Sequence, residues 1–151
     1  VSMVPNTWKV RLSDFGLLAG RLLLALVFVH EGFTLALHFE GTVKAMAQLG
    51  IGVSLVVTTI ALQIGAGLAV GLGFLTRLGA VALGLFCVAT AMLFHTNFGN
   101  HNELLHFEKD LAIAGGMFTL VIVGAGGFSL DAWVRRILQG SMRVSTLPSP
   151  R

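Results

Sequence analysis

Residues Phe94–Val123 read FHTNFGNHNELLHFEKDLAIAGGMFTLVIV, and this stretch decides how often the chain crosses a membrane. Leu111–Val123 carries no charge but is too short alone, because ~20 mostly apolar residues are needed to cover ~30 Å of hydrocarbon. It becomes long enough if the helix begins near Asn102 and takes in the amphipathic turns NELLHFEKDL. The part from Phe94 to Leu111 also gathers three of the five histidines and three of the seven acids. Such a concentration of titratable groups in an apolar chain marks the segment for a functional reading.

The surroundings are apolar. The chain has 151 residues, of which 55% are hydrophobic and 11% charged, whereas a soluble domain carries ~25% charged residues. Mean hydropathy is +0.86. Lipid is therefore the expected solvent for most of the surface, and the length fits one small domain. Phe15–Phe39, Val53–Phe74 and Leu78–Phe94 supply three further spans. None alternates as a membrane strand would, and backbone groups in lipid must bond within their own segment. The expectation is an all-α fold, a four-transmembrane-helix bundle. The first run is long, is interrupted by Arg21 and lacks a small-residue cleavage pattern, so it reads as a permanent helix. Cys87, the single cysteine, excludes an internal disulfide and reads as a small buried residue.

Charge sets an expected orientation. Four spans put both termini on one side, with Lys9, Arg11, Arg21, Arg77, Arg135, Arg136, Arg143 and Arg151. The other side has Lys44 and Lys109. The positive-inside rule then places both termini in the cytoplasm, across a bacterial-type inner membrane. Residues 1–13 form a cytoplasmic N-terminal segment, 14–134 the membrane domain and 135–151 a basic cytoplasmic tail. The expected partners are the lipid bilayer and a partner membrane protein or second copy. No basic aromatic patch points to nucleic acid.

The glycine-rich GAGLAVGLG (Gly65–Gly73) lacks the G-x-G-x-x-G spacing and a preceding strand, so it is no nucleotide loop. Gly67 with Gly71, and Ala69 with Gly73, make small-xxx-small pairs that let helices approach closely. Gly115 and Gly116 suggest the same role in the last span, and Gly124–Gly127 a helix terminator.

Ionisable residues inside a span cost ~2.5–3.5 kcal/mol each on insertion scales. Asp14, Arg21, Arg77 and Asp131 lie near one membrane edge and suggest a structural ring of ion pairs. His30 and Glu31 sit deeper, ~12 Å from the outer end of the first helix. They require partners, and His95, His106, Lys109 and Gln63 are the candidates. Glu103, His106 and Asp110 share one helix face at i, i+3 and i+7. Glu103-x-x-His106 has the form used in di-iron bundles, but no second copy exists. A single metal on His95, His101, His106 and a carboxylate stays open beside a merely solvated face. Paired haem ligands are not demanded by any spacing, so neither haem nor metal is expected. A quinone fits best, because two carbonyl acceptors and a demand for protons match a His, Glu and Lys lining.

RLLLALVFVHEGFTL, GLGFLTRLGAVAL and GAGGFSLDAW resemble the DoxX family of small four-helix membrane proteins. FHTNF followed by HFEKDLAIAGGMF looks like its YphA-like branch. The resemblance covers Phe15–Trp133 and implies the four-helix fold. It also implies a setting, since one branch includes a subunit of a thiosulfate:quinone oxidoreductase. Arg21, Thr76, Arg77, Ser129, Leu130 and Asp131 match family positions, and all fit structural roles. No thiosulfate site is visible. The sequence thus reads as a membrane subunit of a redox system, quinone-linked at its outer face. Glu31 or His106 would exchange protons, Lys109 would hold a negative charge, and His30, Gln63 and His95 would complete the lining. The competing reading is a non-catalytic assembly subunit packed against a larger membrane complex.

Overall fold

The described part of the computed structural model is residues 7–145, with side chains described for residues 11–139. Its elements are α1 (Thr7–Leu37), α2 (Phe39–Gln48), α3 (Val53–Leu72), α4 (Thr76–Phe94), α5 (His101–Val123) and α6 (Leu130–Ser145). No strand occurs among the described residues. α1 packs on α3, α3 on α4 and α4 on α5, and α5 returns to α1 through a smaller contact. The core is built from Phe28, Val70, Ala80, Leu83, Cys87, Ala114, Met117 and Leu120.

Local chemistry explains where the helices stop. Gly73 ends α3 in the left-handed region at φ +73, where a Cβ would fall 2.5 Å from that of Ser129. Gly124 ends α5 at φ +83. Both positions favour a residue without a Cβ. At the start of α5, the Asn100 side chain accepts the Asn102 N–H at 3.0 Å, satisfying a donor that the helix cannot.

Small residues set the helix spacing. Along α3, a Cβ at Gly67 would lie 3.0 Å from Val29 and one at Gly71 3.1 Å from Ala25. On α1, a Cβ at Gly32 would meet Ile64 at 2.7 Å. Gly84 of α4 does the same for Phe118 of α5, at 2.8 Å. Gly67 and Gly71 thus serve the close approach expected of them. Gly116 meets Leu24 at 3.3 Å, but Gly115 faces open space.

Three helices are long and apolar enough to cross a membrane, within Arg11–Leu37, Val53–Leu72 and Thr76–Phe94. α5 is not among them, because every window of 18 residues within it includes Glu108, Lys109 and Asp110. The segment expected to be a fourth span is thus a 23-residue helix, but it is not an apolar run of the kind that the other three supply. The helix bounds lie close to those read from the sequence, except that α1 begins at Thr7. Two helices were not anticipated. α2 follows the bend at His38, and α6 occupies much of the stretch read as a basic tail. Lys9 and Arg143, whose side chains are not described, and Arg151 lie outside what the structure says about charge distribution.

The ends of α1, α3, α4 and α5 nearest Arg21 are tied together by charges that bond to backbone. Arg21 is 1% exposed. Its guanidinium donates to the carbonyls of Gly71 at 3.3 Å, Ala125, and Phe128 at 2.8 Å. Asp14 accepts the Gly127 N–H at 2.7 Å. Asp131 accepts the N–H groups of Leu75 at 3.0 Å and Thr76 at 3.3 Å, capping α4. Arg77 donates to the Ile122 carbonyl at 3.4 Å. The four charges gather as expected, but among the described residues none pairs with another. Helix termini leave unsatisfied N–H and C=O groups, and here these groups take the charges instead.

Two outcomes follow from this packing. Gly67→Leu should lower stability in detergent by ~1–3 kcal/mol, the usual cost of overpacking. Gly65→Leu, where a Cβ meets nothing within 4 Å, should change it little. Equal melting shifts for the two variants would remove the α1–α3 seam. Arg21→Met should cost ~3 kcal/mol or more, because buried carbonyls lose their donors. Arg21→Lys should not restore the loss, since an ammonium lacks the planar fork. Thermal unfolding of both variants checks this.

Candidate functional site

At the far end of the bundle, α4 and α5 bring polar side chains together inside an otherwise apolar seam. His95 lies just past the last turn of α4, and its Nδ1 lies 2.8 Å from Glu103 Oε2. The His95 and His106 rings stack, with centroids 5.1 Å apart and planes inclined by 24°. Lys109 Nζ lies 3.3 Å from His106 Nδ1. One turn deeper, Thr90 Oγ1 donates to Asp110 Oδ2 at 3.1 Å while lying within bonding range of the Phe86 and Cys87 carbonyls. Glu103, His106 and Asp110 therefore share a face as their spacing requires, and that face meets α4.

The hydrogen bonds assign the ring protons. Lys109 is a donor without a lone pair, so His106 Nδ1 accepts and the ring proton of the neutral imidazole sits on Nε2. Glu103 accepts, so His95 donates from Nδ1, and in the neutral imidazole its Nε2 is left as an acceptor. The pair thus offers one donor and one acceptor nitrogen. The side chains of His95 and Glu103 are 25% and 32% exposed, so the array is neither sealed nor fully solvated.

The other expected residues stand apart. α1 meets α3 through Ala25, Phe28 and Gly32, and the helical phase of that stripe turns His30 and Glu31 away from it. Both are exposed, and neither side chain bonds to His95, His106, Lys109 or Gln63. The expected contact between Glu31 and the α4–α5 cluster does not form within the chain. Gln63 is 5% exposed, lies beside Gly32 in the α1–α3 seam, and its Oε1 finds no partner among the described residues. The structure thus joins His95, His106 and Lys109, and leaves His30, Glu31 and Gln63 elsewhere. It adds Glu103 as the partner of His95 and Thr90 as the partner of Asp110. Thr90 could have been suspected as a hydroxyl in an apolar helix, but nothing in the sequence paired it with Asp110. Among the described residues, no three His, Cys, Asp or Glu side chains could hold a common metal ion. The set His95, His101 and His106 is therefore not assembled as one.

Comparison with known proteins bears on this geometry. The DoxX family profile matches residues 16–96, which is more than half of the chain. The chain belongs to the DoxX family. The chain is 37% identical to the inner membrane protein YqjF of Escherichia coli (strain K12) over 121 residues, covering 80% of this chain and 93% of the relative. It is 33% identical to the inner membrane protein YphA of the same organism over 135 residues, covering 81% of this chain and 96% of the relative. No solved structure gives a significant match. This DoxX chain is thus an integral membrane protein, as its three apolar helices require. The family match takes in α1 from residue 16 onward, α2, α3 and α4 with His95, but ends before Glu103, His106 and Lys109.

A double-mutant cycle tests whether the array is connected. His95→Phe and Glu103→Gln, alone and together, should show a coupling of ~0.5–1 kcal/mol in unfolding, the range for a half-exposed pair. Strictly additive effects would mean that the two side chains do not interact.

Proposed function

We propose that this DoxX protein is a four-span membrane subunit of a redox system, whose α4–α5 cluster binds a quinone ring and exchanges protons with it. The observation that carries the reading is the array Glu103–His95–His106–Lys109, which presents one donor and one acceptor imidazole nitrogen beside an ammonium. The donor nitrogen and the ammonium fit a ring with two carbonyl acceptors, and the acceptor nitrogen fits a hydroxyl of its reduced form. A bound quinone would supply two-electron, two-proton chemistry, with electrons from a redox partner in the same membrane. In quinone reduction His106 would donate a proton from Nε2 to one carbonyl oxygen and regain it from water at the half-exposed array, which would also supply the second proton. In quinol oxidation His95 would accept a proton at Nε2, with Glu103 holding the charge that develops on it. Lys109 would keep His106 in the required tautomer and offset negative charge. In this reading α5 is the fourth span, both termini face the cytoplasm, and the cluster lies at the periplasmic side.

Helix register supports a role for Glu31 beside this array. α1 and α5 run antiparallel, with Asp14 against Gly127, Leu17 against Gly126 and Leu24 against Gly116. Two turns further along from Leu24 and Gly116, the same faces carry Glu31 and Lys109. Both are exposed and form no ion pair, so a polar ligand between α1 and α5 would have a charged group on either side. A second reading, an assembly subunit, is favoured by His30, which is exposed in the middle of an apolar span. A neighbouring chain would satisfy it.

The test is binding of short-tailed ubiquinone and menaquinone by the purified chain in lipid nanodiscs. Saturable binding is expected, weakened about tenfold, or ~1.4 kcal/mol, by His106→Ala or Lys109→Met. Glu31→Gln should weaken it less. Binding unchanged in both cluster variants would remove the site. Stoichiometric recovery with a large partner, and no quinone binding, would favour the assembly reading.

A further inference from the structure

α6 (Leu130–Ser145) begins at the Arg21 end of the bundle and is fixed there at its first turn. The Asp131 N–H donates to the Gly73 carbonyl at 2.9 Å while its carboxylate caps α4. Ser129 Oγ accepts the Ala132 N–H at 3.1 Å, starting the helix as an N-cap. Because Gly73 and Leu75 lie between the membrane-crossing helices α3 and α4, the first turn of α6 sits at the membrane boundary.

The rest of the helix is amphipathic in an unusual sense. Leu130, Trp133, Val134, Ile137 and Leu138 recur at i, i+3, i+4, i+7 and i+8, the spacing of a single helical stripe. In a globular protein such a stripe would face the core. Here it faces away, with Trp133 59%, Ile137 51% and Leu138 57% exposed. The buried side of α6 is the opposite one, where Ala132 is 7% exposed. No other part of the described chain covers the stripe. Arg135 and Arg136 occupy the remaining face, and both are exposed. Each makes only a backbone hydrogen bond, to Asp131 at 3.2 Å and to Gly127 at 3.4 Å.

We infer that α6 lies in the plane of the membrane surface, with its apolar stripe among the acyl chains and Arg135 and Arg136 on anionic phospholipid headgroups. An apolar face with a tryptophan, backed by arginines and tethered at the bilayer boundary, has the chemistry of an interfacial helix. Juxtamembrane arginines are drawn to anionic lipid. A second protein chain would account for the stripe but not for the arginines, which have no anionic partner among the described residues. The inference does not depend on the quinone site.

The test uses the full chain in nanodiscs holding one copy each. Trp8→Phe leaves Trp133 as the single tryptophan of the two in the chain. Lipids brominated on their acyl chains should quench Trp133, more strongly with phosphatidylglycerol present than in phosphatidylcholine alone. Arg135→Gln with Arg136→Gln should abolish that increment. Ile137→Ser with Leu138→Ser should reduce quenching in both lipids, with the elution and melting of the bundle unchanged. Trp133 equally open to aqueous iodide in both kinds of disc would overturn the proposal. So would protection that ignores lipid charge and appears only with two chains per disc, the result expected of a second copy.

Discussion

The fold depends on how Arg21 is satisfied. A guanidinium at this position is buried to 1% exposure in a helix otherwise suited to lipid, where an unpaired charge costs several kcal/mol. Its planar fork reaches three carbonyls, Gly71 at the end of α3 and Ala125 and Phe128 in the link from α5 to α6. One side chain of α1 thereby fixes carbonyls that lie 50, 104 and 107 residues away in sequence. The turns have to be bare for this to happen. A Cβ at Gly73 would lie 2.9 Å from Arg21 Nη1, and one at Gly127 2.5 Å from Asp14 Oδ2. Asp131 extends the same arrangement by joining the Gly73 carbonyl to the α4 cap. The placement of α6 and the start of α4 both follow from it.

Three spans were legible because their signal is one of length and hydropathy, which the bilayer imposes directly. Glycine terminators were legible for a similarly local reason. α2 and α6 are short or polar helices, and neither is the long apolar run that the bilayer demands of a span. The stripe Leu130, Trp133, Val134, Ile137 and Leu138 was available as a period of 3.6, but it falls in a segment that composition marks as polar and basic. The expected ion-pair ring was wrong in its partners, although right in its membership. Depth along a span places charges near one another. It does not show which backbone groups the neighbouring turns leave unsatisfied.

The candidate site was half legible for a related reason. The spacing of Glu103, His106 and Asp110 fixed their common face, and the structure turns that face to Thr90 and His95 on α4. The direction of Glu31 was not legible, because it depends on the phase of α1 against α3. Ala25, Phe28 and Gly32 set that phase through contacts with glycines and Ile64. Had the stripe lain on an adjacent face of α1, Glu31 would have entered the core.

A division of labour between the two ends follows. The uncharged part of α5, Leu111–Val123, covers only ~20 Å at the helical rise, about two turns short of a hydrocarbon core of ~30 Å. Those two turns carry His106, Lys109 and Asp110. α4 satisfies His106 and Asp110 on one side, whereas Lys109 on the other side stays exposed, as Glu31 does on α1. The Arg21 end is closed by backbone acceptors that a buried guanidinium cannot easily leave. The far end is held by half-exposed side-chain contacts, each of modest strength. Local opening therefore costs least at the far end. A bundle fixed at one end can let α1 and α5 part at the other without loosening the glycine seam of α1 and α3, and the polar array lies where that parting would admit a ligand.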